Sequence, residues 1–369
     1  MLVNLLDYVK IISGGTPKTN IPEYWNGNIP WISIDDFRDV TKYVYQTQKT
    51  ITKNGVINSS TNILEKNDII VSARGTVGKL ALIYREMAFN QSCFGIRVEN
   101  KLCLNPEYLF YYLKCNINYI LKKSQGAIFD SINLETFKYI KINLPPINVQ
   151  NEIVSILSSI DEQIRHNNTM VNKLQVLGKA IFEHFAINST NKINVQKIAN
   201  IIWGQCPEGK NILVEKINNS IPYASGAGDI DDGKLVINPK AYTNNSRRII
   251  EEKTICMSVA GTIGKIGIAD DKTSIGRAML GLYSNSRYGL IYFALLKYSL
   301  VLQTQATGAI QKIINNDHLD IIDMPDLTSS QIDMLNKIVD KSITIEKNTK
   351  KLTIIKEKLL PLLINGQLE

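Results

Sequence analysis

A chain of 369 residues with 44% hydrophobic content can bury two sizeable cores, and it is too apolar to remain disordered. Its net charge of +8 and pI of 9.0 favour an anionic partner without identifying one. Five cysteines without C-x-x-C spacing, no signal-peptide pattern in residues 1–10 and no apolar run of membrane-spanning length predict a reduced, cytoplasmic protein.

The first elements in chain order are a short strand from Val9 running into the turn Gly14-Gly15-Thr16-Pro17, then a packed strand and hairpin carrying Trp25 and Trp31. Residues 34–64 are polar and weakly periodic, as exposed loops and edge strands are. A strand from Asp68 then enters the turn Arg74-Gly75-Thr76-Val77-Gly78-Lys79. From Ile153 to Phe185 the apolar residues alternate in steps of four and three, the seam of a long coiled-coil helix. Asn167 and Gly178 interrupt this seam.

The second half repeats the first. Ser72, Gly75, Thr76, Gly78 and Lys79 are matched by Ser258, Gly261, Thr262, Gly264 and Lys265 at an offset of 186. Gly14 and Pro17 are matched by Gly204 and Pro207, residues 125–128 by 307–310, Asn133 by Asn315, and Leu144-Pro145 by Met324-Pro325. A second seam follows (Met334, Ile338, Ile345, Leu352, Ile355, Leu359, Leu362), with Lys341 and Asn348 in its polar slots. Asn348 answers Asn167 at an offset of 181. Landmarks in one order at nearly constant offsets are an internal duplication. The unmatched segments, 34–64 and 224–250, lie between the same landmarks. The expected domains are 1–146, a spacer helix at 147–187, 188–326, and a second spacer helix at 327–369. The expected fold class is α+β, two duplicated α/β domains joined by long helices in an antiparallel, pseudo-twofold coiled coil. Antiparallel pairing follows if each domain's ends lie together. Asn167 and Asn348 then come to one level as buried polar register residues, and Met1 approaches residues 365–369.

Enzymatic motifs are missing. Two residues, not four, separate Gly75 from Gly78, and Leu80 follows Lys79, so this turn is not a nucleotide-binding P-loop. Asn143-Leu144-Pro145-Pro146 lacks the aromatic residue of an adenine-methyltransferase motif and reads as a stop before a helix. His166, His184 and His318 have no metal-ligand spacing, so no metal site and no catalytic residue are expected.

The motifs Gly14-Gly15-Thr16-Pro17, Glu23-Tyr24-Trp25, Ile29-Pro30-Trp31, Arg74 to Lys79, Asn90-Gln91 and Leu144 to Ile153, in this order and duplicated, resemble the specificity subunit of Type I restriction–modification systems over essentially the whole length. The second half departs from the pattern at Gly204-Gln205-Cys206-Pro207, and at Arg277-Ala278, where the first has Gln91-Ser92. The resemblance implies two target-recognition domains, each reading one half of a split double-stranded DNA target. It also implies a non-catalytic chain within an adenine-N6 methyltransferase and restriction complex. Two methyltransferase subunits, as the family implies, and restriction subunits would be its partners, bringing S-adenosylmethionine, ATP and Mg²⁺; this chain would hold no cofactor. Lys18, Arg74, Thr76, Lys79, Thr262 and Lys265 are the expected phosphate contacts. Asp35, Asp36, Arg38, Lys42, Gln91, Arg247, Arg248 and Arg277 are the expected base readers. The alternative is a coiled-coil scaffold or regulatory adaptor that reads no DNA, which explains the helices but not the altered loops.

Overall fold

A computed structural model describes residues 2–37, 40–124, 132–306 and 313–367, with the side chains of 118–124 left aside. The repeat landmarks at 125–128 and 307–310 and the candidate base reader Arg38 therefore lie outside the described residues, as do Met1, Leu368 and Glu369. The chain divides into two compact units, Met1–Gln163 with Leu352–Glu369, and Ile164–Lys351. Four helices organise them: α1 (Pro106–Ser124), α2 (Ile147–Asn188), α3 (Tyr288–Gln305) and α4 (Ser329–Ile364).

In the first unit a five-stranded sheet runs in the order Val9–Ser13, Cys93–Val98, Ile69–Ser72, Leu80–Ile83, Tyr43–Val44, antiparallel except for its last pair. A four-stranded sheet orders Lys49–Ile51, Trp25–Ile32, Met87–Phe89 and Ile63–Leu64. Trp31 and Ile32 pair in parallel with Ala88 and Phe89. The strand from Ile69 to Ser72 is buried on both faces, which is why it reads as a continuous apolar run rather than an alternation.

The second unit repeats this scheme. One sheet orders Asn200–Trp203, Met279–Tyr283, Ile255–Ser258 and Ile266–Ile268, and in the other Tyr223 and Ala224 pair in parallel with Ser274 and Ile275. Asn133 and Asn315 cap equivalent helical turns, their side chains accepting from Thr136 N at 3.0 Å and His318 N at 3.3 Å.

The mixed α/β part of each unit is closed at its base by a two-stranded antiparallel sheet. Leu2–Asn4 pairs with Lys141–Asn143 in the first unit, and Lys192–Asn194 with Asp323–Pro325 in the second. The second clamp sets the end of α2 beside the start of α4, and the first sets the N-terminal strand beside the start of α2. In the first unit the beginning of α2 (Ile153, Leu157) shares a core with the end of α4 (Leu360, Leu363, Ile364) and with Leu5. In the second unit the end of α2 (Leu174, Ile181, Phe182) shares a core with the beginning of α4 (Ile332, Leu335, Val339). Opposite ends meet in each unit, so the helices run antiparallel, as expected.

The seam of α2 is as read, with Ile153, Leu157, Ile164 and Val171 buried. Gly178 is a core position because a Cβ there would meet the Phe293 ring at 2.1 Å. The seam of α4 keeps Ile338 buried as read, but its alternate position is corrected by one residue. Met334 and Ile355 are 46% and 47% exposed, and Lys341 and Asn348 are exposed as well. Leu335, Ser342, Thr349 and Lys356 turn inward instead. The reason is that α4 packs on more than its helical partner. Asn336 Oδ1 accepts from Gly289 N of α3 at 2.9 Å, and Glu346 holds a loop of the same unit, which widens the buried stripe beyond a two-helix seam. Near the middle Asn167 and Asn168 are both half-buried on α2, whereas on α4 the inward polar residue is Thr349 rather than the exposed Asn348. Asn168 Oδ1 accepts from Lys234 Nζ at 2.7 Å, and Thr349 Oγ1 donates to Ile345 O at 2.8 Å.

Candidate nucleic-acid interface

The duplicated turn is built around a buried serine. Ser72 Oγ accepts from Lys79 N at 2.9 Å and donates to Thr76 O, while Gly78 N bonds Ser72 O at 2.9 Å. Ser258 Oγ accepts from Lys265 N at 2.9 Å and donates to Thr262 O at 2.7 Å, with Gly264 N on Ser258 O at 2.9 Å. Gly75, Gly78, Gly261 and Gly264 all have φ between 72° and 83°, the left-handed region that glycine enters without strain. The serine hydroxyl takes the lysine N–H and its carbonyl takes the glycine N–H, so two of the backbone donors a phosphate loop would offer are already bonded within the turn, which serves as a platform. Arg74, Thr76 and Lys79 stand exposed on the first platform and Thr262 on the second. Lys265 differs from Lys79. It is half-buried, its ammonium pairs with Asp232 at 2.7 Å and it donates to Ile230 O at 3.3 Å, so its charge is already answered within the unit.

Beside each platform lies a second matched feature. Gly15 N bonds Phe89 O and Gln205 N bonds Ile275 O, both at 2.9 Å. A Cβ on Gly14 would lie 2.0 Å from Asn90 O, and one on Gly204 would lie 2.0 Å from Gly276 O. This close approach of two backbones explains both glycines. Above it the side chains differ. Thr16 donates to Gln91 in the first unit, with Trp31 Nε1 bonding Gly15 O at 3.1 Å. Cys206, Arg277 and Tyr223 hold the equivalent positions in the second. Burial acts to raise the Cys206 thiol, but the Arg277 backbone, the Tyr223 hydroxyl and the Arg277 charge outweigh it and lower its pKa.

The segments that differ between the units start from a shared device. Asp36 Oδ2 accepts from Ser33 N at 2.7 Å and Ser33 Oγ at 2.8 Å, and its Oδ1 accepts from Gln48 N at 2.7 Å. Asp229 does the same for Ser225 N at 2.7 Å, Ser225 Oγ at 2.9 Å and Lys240 N at 2.8 Å. Asp36 thus spends both oxygens shaping its loop and is placed as a positioning residue. The three-residue spacing from Ser33 to Asp36 is a capping-box signal present in the sequence. The four-residue spacing from Ser225 to Asp229 hides its equivalent.

Lys42, expected as a base reader, is likewise taken away from the surface. It is 8% exposed and bonds Glu107 of α1, with Ser158 Oγ of α2 at 2.6 Å. The sequence offered no sign of this, because Glu107 lies 65 positions away. Gln91, Asp35, Lys18, Arg248 and Arg277 are exposed, and so is Arg247, which pairs with Glu208 at 3.2 Å. Among the described residues no group of three or more His, Cys, Asp or Glu could hold a metal, and no helix is long and apolar enough to cross a membrane.

Residues 1–176 match the family model described as the Type I restriction modification DNA specificity domain. The Type I restriction enzyme MjaIX specificity subunit of Methanocaldococcus jannaschii is 25% identical over 274 residues, spanning 73% of this chain and 62% of that protein. The EcoR124I/EcoR124II specificity subunit of Escherichia coli is 31% identical over 159 residues, spanning 41% of this chain and 38% of that protein. The fold is similar to the crystal structure of a Type I restriction–modification S subunit from M. genitalium, with a TM-score of 0.63 and 18% identity over 98% of this chain and 95% of that one. These likenesses place residues 1–176 among the Type I restriction modification DNA specificity domains, with relatives named specificity subunits extending the similarity over most of the chain.

Proposed function

We propose that this chain is a non-catalytic DNA-reading subunit, each unit engaging one half of a split double-stranded target. The observation that carries the reading is the duplicated platform, where one set of backbone bonds frames different side chains in the two units. Exposed Arg74 and Lys79 have the chemistry of phosphate contacts, and Thr76, Thr262 and Lys18 can donate beside them. Arg248 and Arg277 can present two donors to a guanine edge, and Gln91 can pair with adenine. The helix α2, with 42 residues and about 63 Å long, would act as the spacer between half-sites. Two methyltransferase subunits acting on adenine N6, and restriction subunits in a full complex, would bring S-adenosylmethionine, ATP and Mg²⁺. The cytoplasm is where these would meet the DNA.

Methylome mapping with and without the gene tests this reading. A split methylated motif should vanish on deletion, and replacing residues 34–64 should change one half of it only. A motif that survives deletion, or changes in both halves, would overturn it. The purified chain alone should hydrolyse no ATP and methylate no DNA, and methyl transfer by the chain freed of partners would contradict the non-catalytic assignment.

A further inference from the structure

In the first unit the inward polar positions of the helix pair carry opposite charges. Lys356 of α4 bonds Asp161 of α2, and the two are 9% and 3% exposed at their side chains. Tyr111 of α1 donates to the other Asp161 oxygen at 2.6 Å, and the Lys356 ammonium lies 5.6 Å from the Tyr111 ring centre. The duplication places Ser342 of α4 and Gln175 of α2 at the equivalent positions of the second unit, at the same offset of 181. There the layer is neutral. Ser342 Oγ satisfies itself on Ile338 O at 2.8 Å, the buried Gln175 Nε2 has no hydrogen-bond partner among the described residues, and Phe293, the counterpart of Tyr111, brings no hydroxyl.

This asymmetry has a consequence because α2 and α4 are copies of one helix. Either could pair antiparallel with its own copy on a second chain, burying the same apolar seam. Two α2 helices would set Asp161 against Gln175 twice, burying two carboxylates without a cation. Two α4 helices would set Lys356 against Ser342 twice, burying two ammonium groups without an anion. Only α2 with α4 gives one ion pair and one neutral layer, and leaving a buried charge unpaired is far costlier than the pair itself is stabilising. A slip by one heptad fails for the same reason, since it moves Asp161 opposite Thr349 or Leu363. We propose that the Asp161–Lys356 pair makes α2 and α4 each other's obligate partners and excludes pairing of either helix with its copy on a second chain.

The test uses the full chain with the exposed Cys103 and Cys206 replaced by serine and two disulfide reporters. Leu157→Cys with Leu360→Cys closes within one chain in the native register. Leu157→Cys with Lys179→Cys closes only between α2 helices of two chains, because on one helix these positions are about 33 Å apart. In the parent the first reporter should close and the second should not. Asp161→Ser with Lys356→Gln installs the residues of the second unit, a layer the fold already tolerates. It should raise the between-chain disulfide about tenfold or more and give dimers by light scattering. Exchanging the charges, Asp161→Lys with Lys356→Asp, should restore the within-chain reporter alone. Within-chain closure as complete in the neutral variant as in the parent, with no between-chain product, would overturn the proposal. So would between-chain closure in the parent, or dimers that persist after the charges are exchanged.

Discussion

The first unit ties its variable segment down with charge, and the second with backbone. In the first, Lys42 reaches Glu107 and Ser158 while Tyr43 OH bonds Glu107 at 3.1 Å. Burial acts to raise the Glu107 carboxyl, but the Lys42 ammonium and the two hydroxyls outweigh it and hold its pKa below the usual value. In the second, the Glu346 carboxylate of α4 accepts from Leu235 N and Val236 N, each at 2.9 Å, and burial pushes its pKa up against those two bonds. The platforms beneath are alike to within tenths of an ångström in their hydrogen bonds. The contrast shows which part of a duplicated module can drift. A turn whose glycines are fixed by backbone contact admits little change, whereas an anchor needs only some buried partner and can be reinvented with each new loop.

The largest test of that contrast is on the shared part. Gly14→Ala and Gly204→Ala each push a Cβ to 2.0 Å from a carbonyl oxygen and should destabilise their own unit by about 4 kcal/mol or more. Thermal unfolding with limited proteolysis to locate the damage would check this, and a variant as stable as the parent would show that the platform gives way easily.

The anchors come next. Glu107→Gln leaves the buried Lys42 ammonium without its anion and should cost about 3–5 kcal/mol in urea unfolding. Glu346→Gln keeps one acceptor for the two backbone donors and should cost about 1–3 kcal/mol. Equal losses would erase the distinction between ionic and backbone anchoring.

A smaller effect separates the two platform lysines. Lys79→Ala should weaken DNA binding by the assembled complex for all sequences and flatten its salt dependence by about one unit of slope. Lys265→Ala should do less, because Asp232 already answers its charge. Asp232→Ala should free Lys265 and steepen the salt dependence, measured by titrating binding against salt. A Lys265→Ala effect as large as that of Lys79→Ala would show that the ion pair opens on DNA.

The smallest effect is in the pH profile, where the two anchors should act with opposite sign. Glu107 has a depressed folded pKa, so its stabilisation is present above the ordinary carboxylate pKa and is lost as pH falls through the folded value. Glu346 has a raised folded pKa, so its contribution is fullest below the ordinary value and declines as pH rises through the folded one. Comparing each glutamine variant with its parent between neutral pH and pH 4 should therefore give differences of opposite slope. Slopes of one sign would mean the two carboxylates share an environment.

The sequence alone determined the duplication, the two long helices, the glycine turns and the resemblance to specificity subunits, because each is written in local periodicity or in residues whose backbone requirements are specific. It also located Ser72 and Ser258, though not that their hydroxyls fill the turns. Only the tertiary structure decided the inward face of α4, since packing against α3 and the Leu235 loop widened a stripe that heptad spacing alone placed one residue away. Only the tertiary structure moved Lys42 from the surface to a buried pair and gave Lys265 a partner in Asp232. Charge is visible in a sequence, but whether it meets solvent or an opposite charge depends on elements far apart in the chain. The same holds for Asp161 and Lys356, 195 positions apart, whose meeting follows from where the second clamp returns the chain.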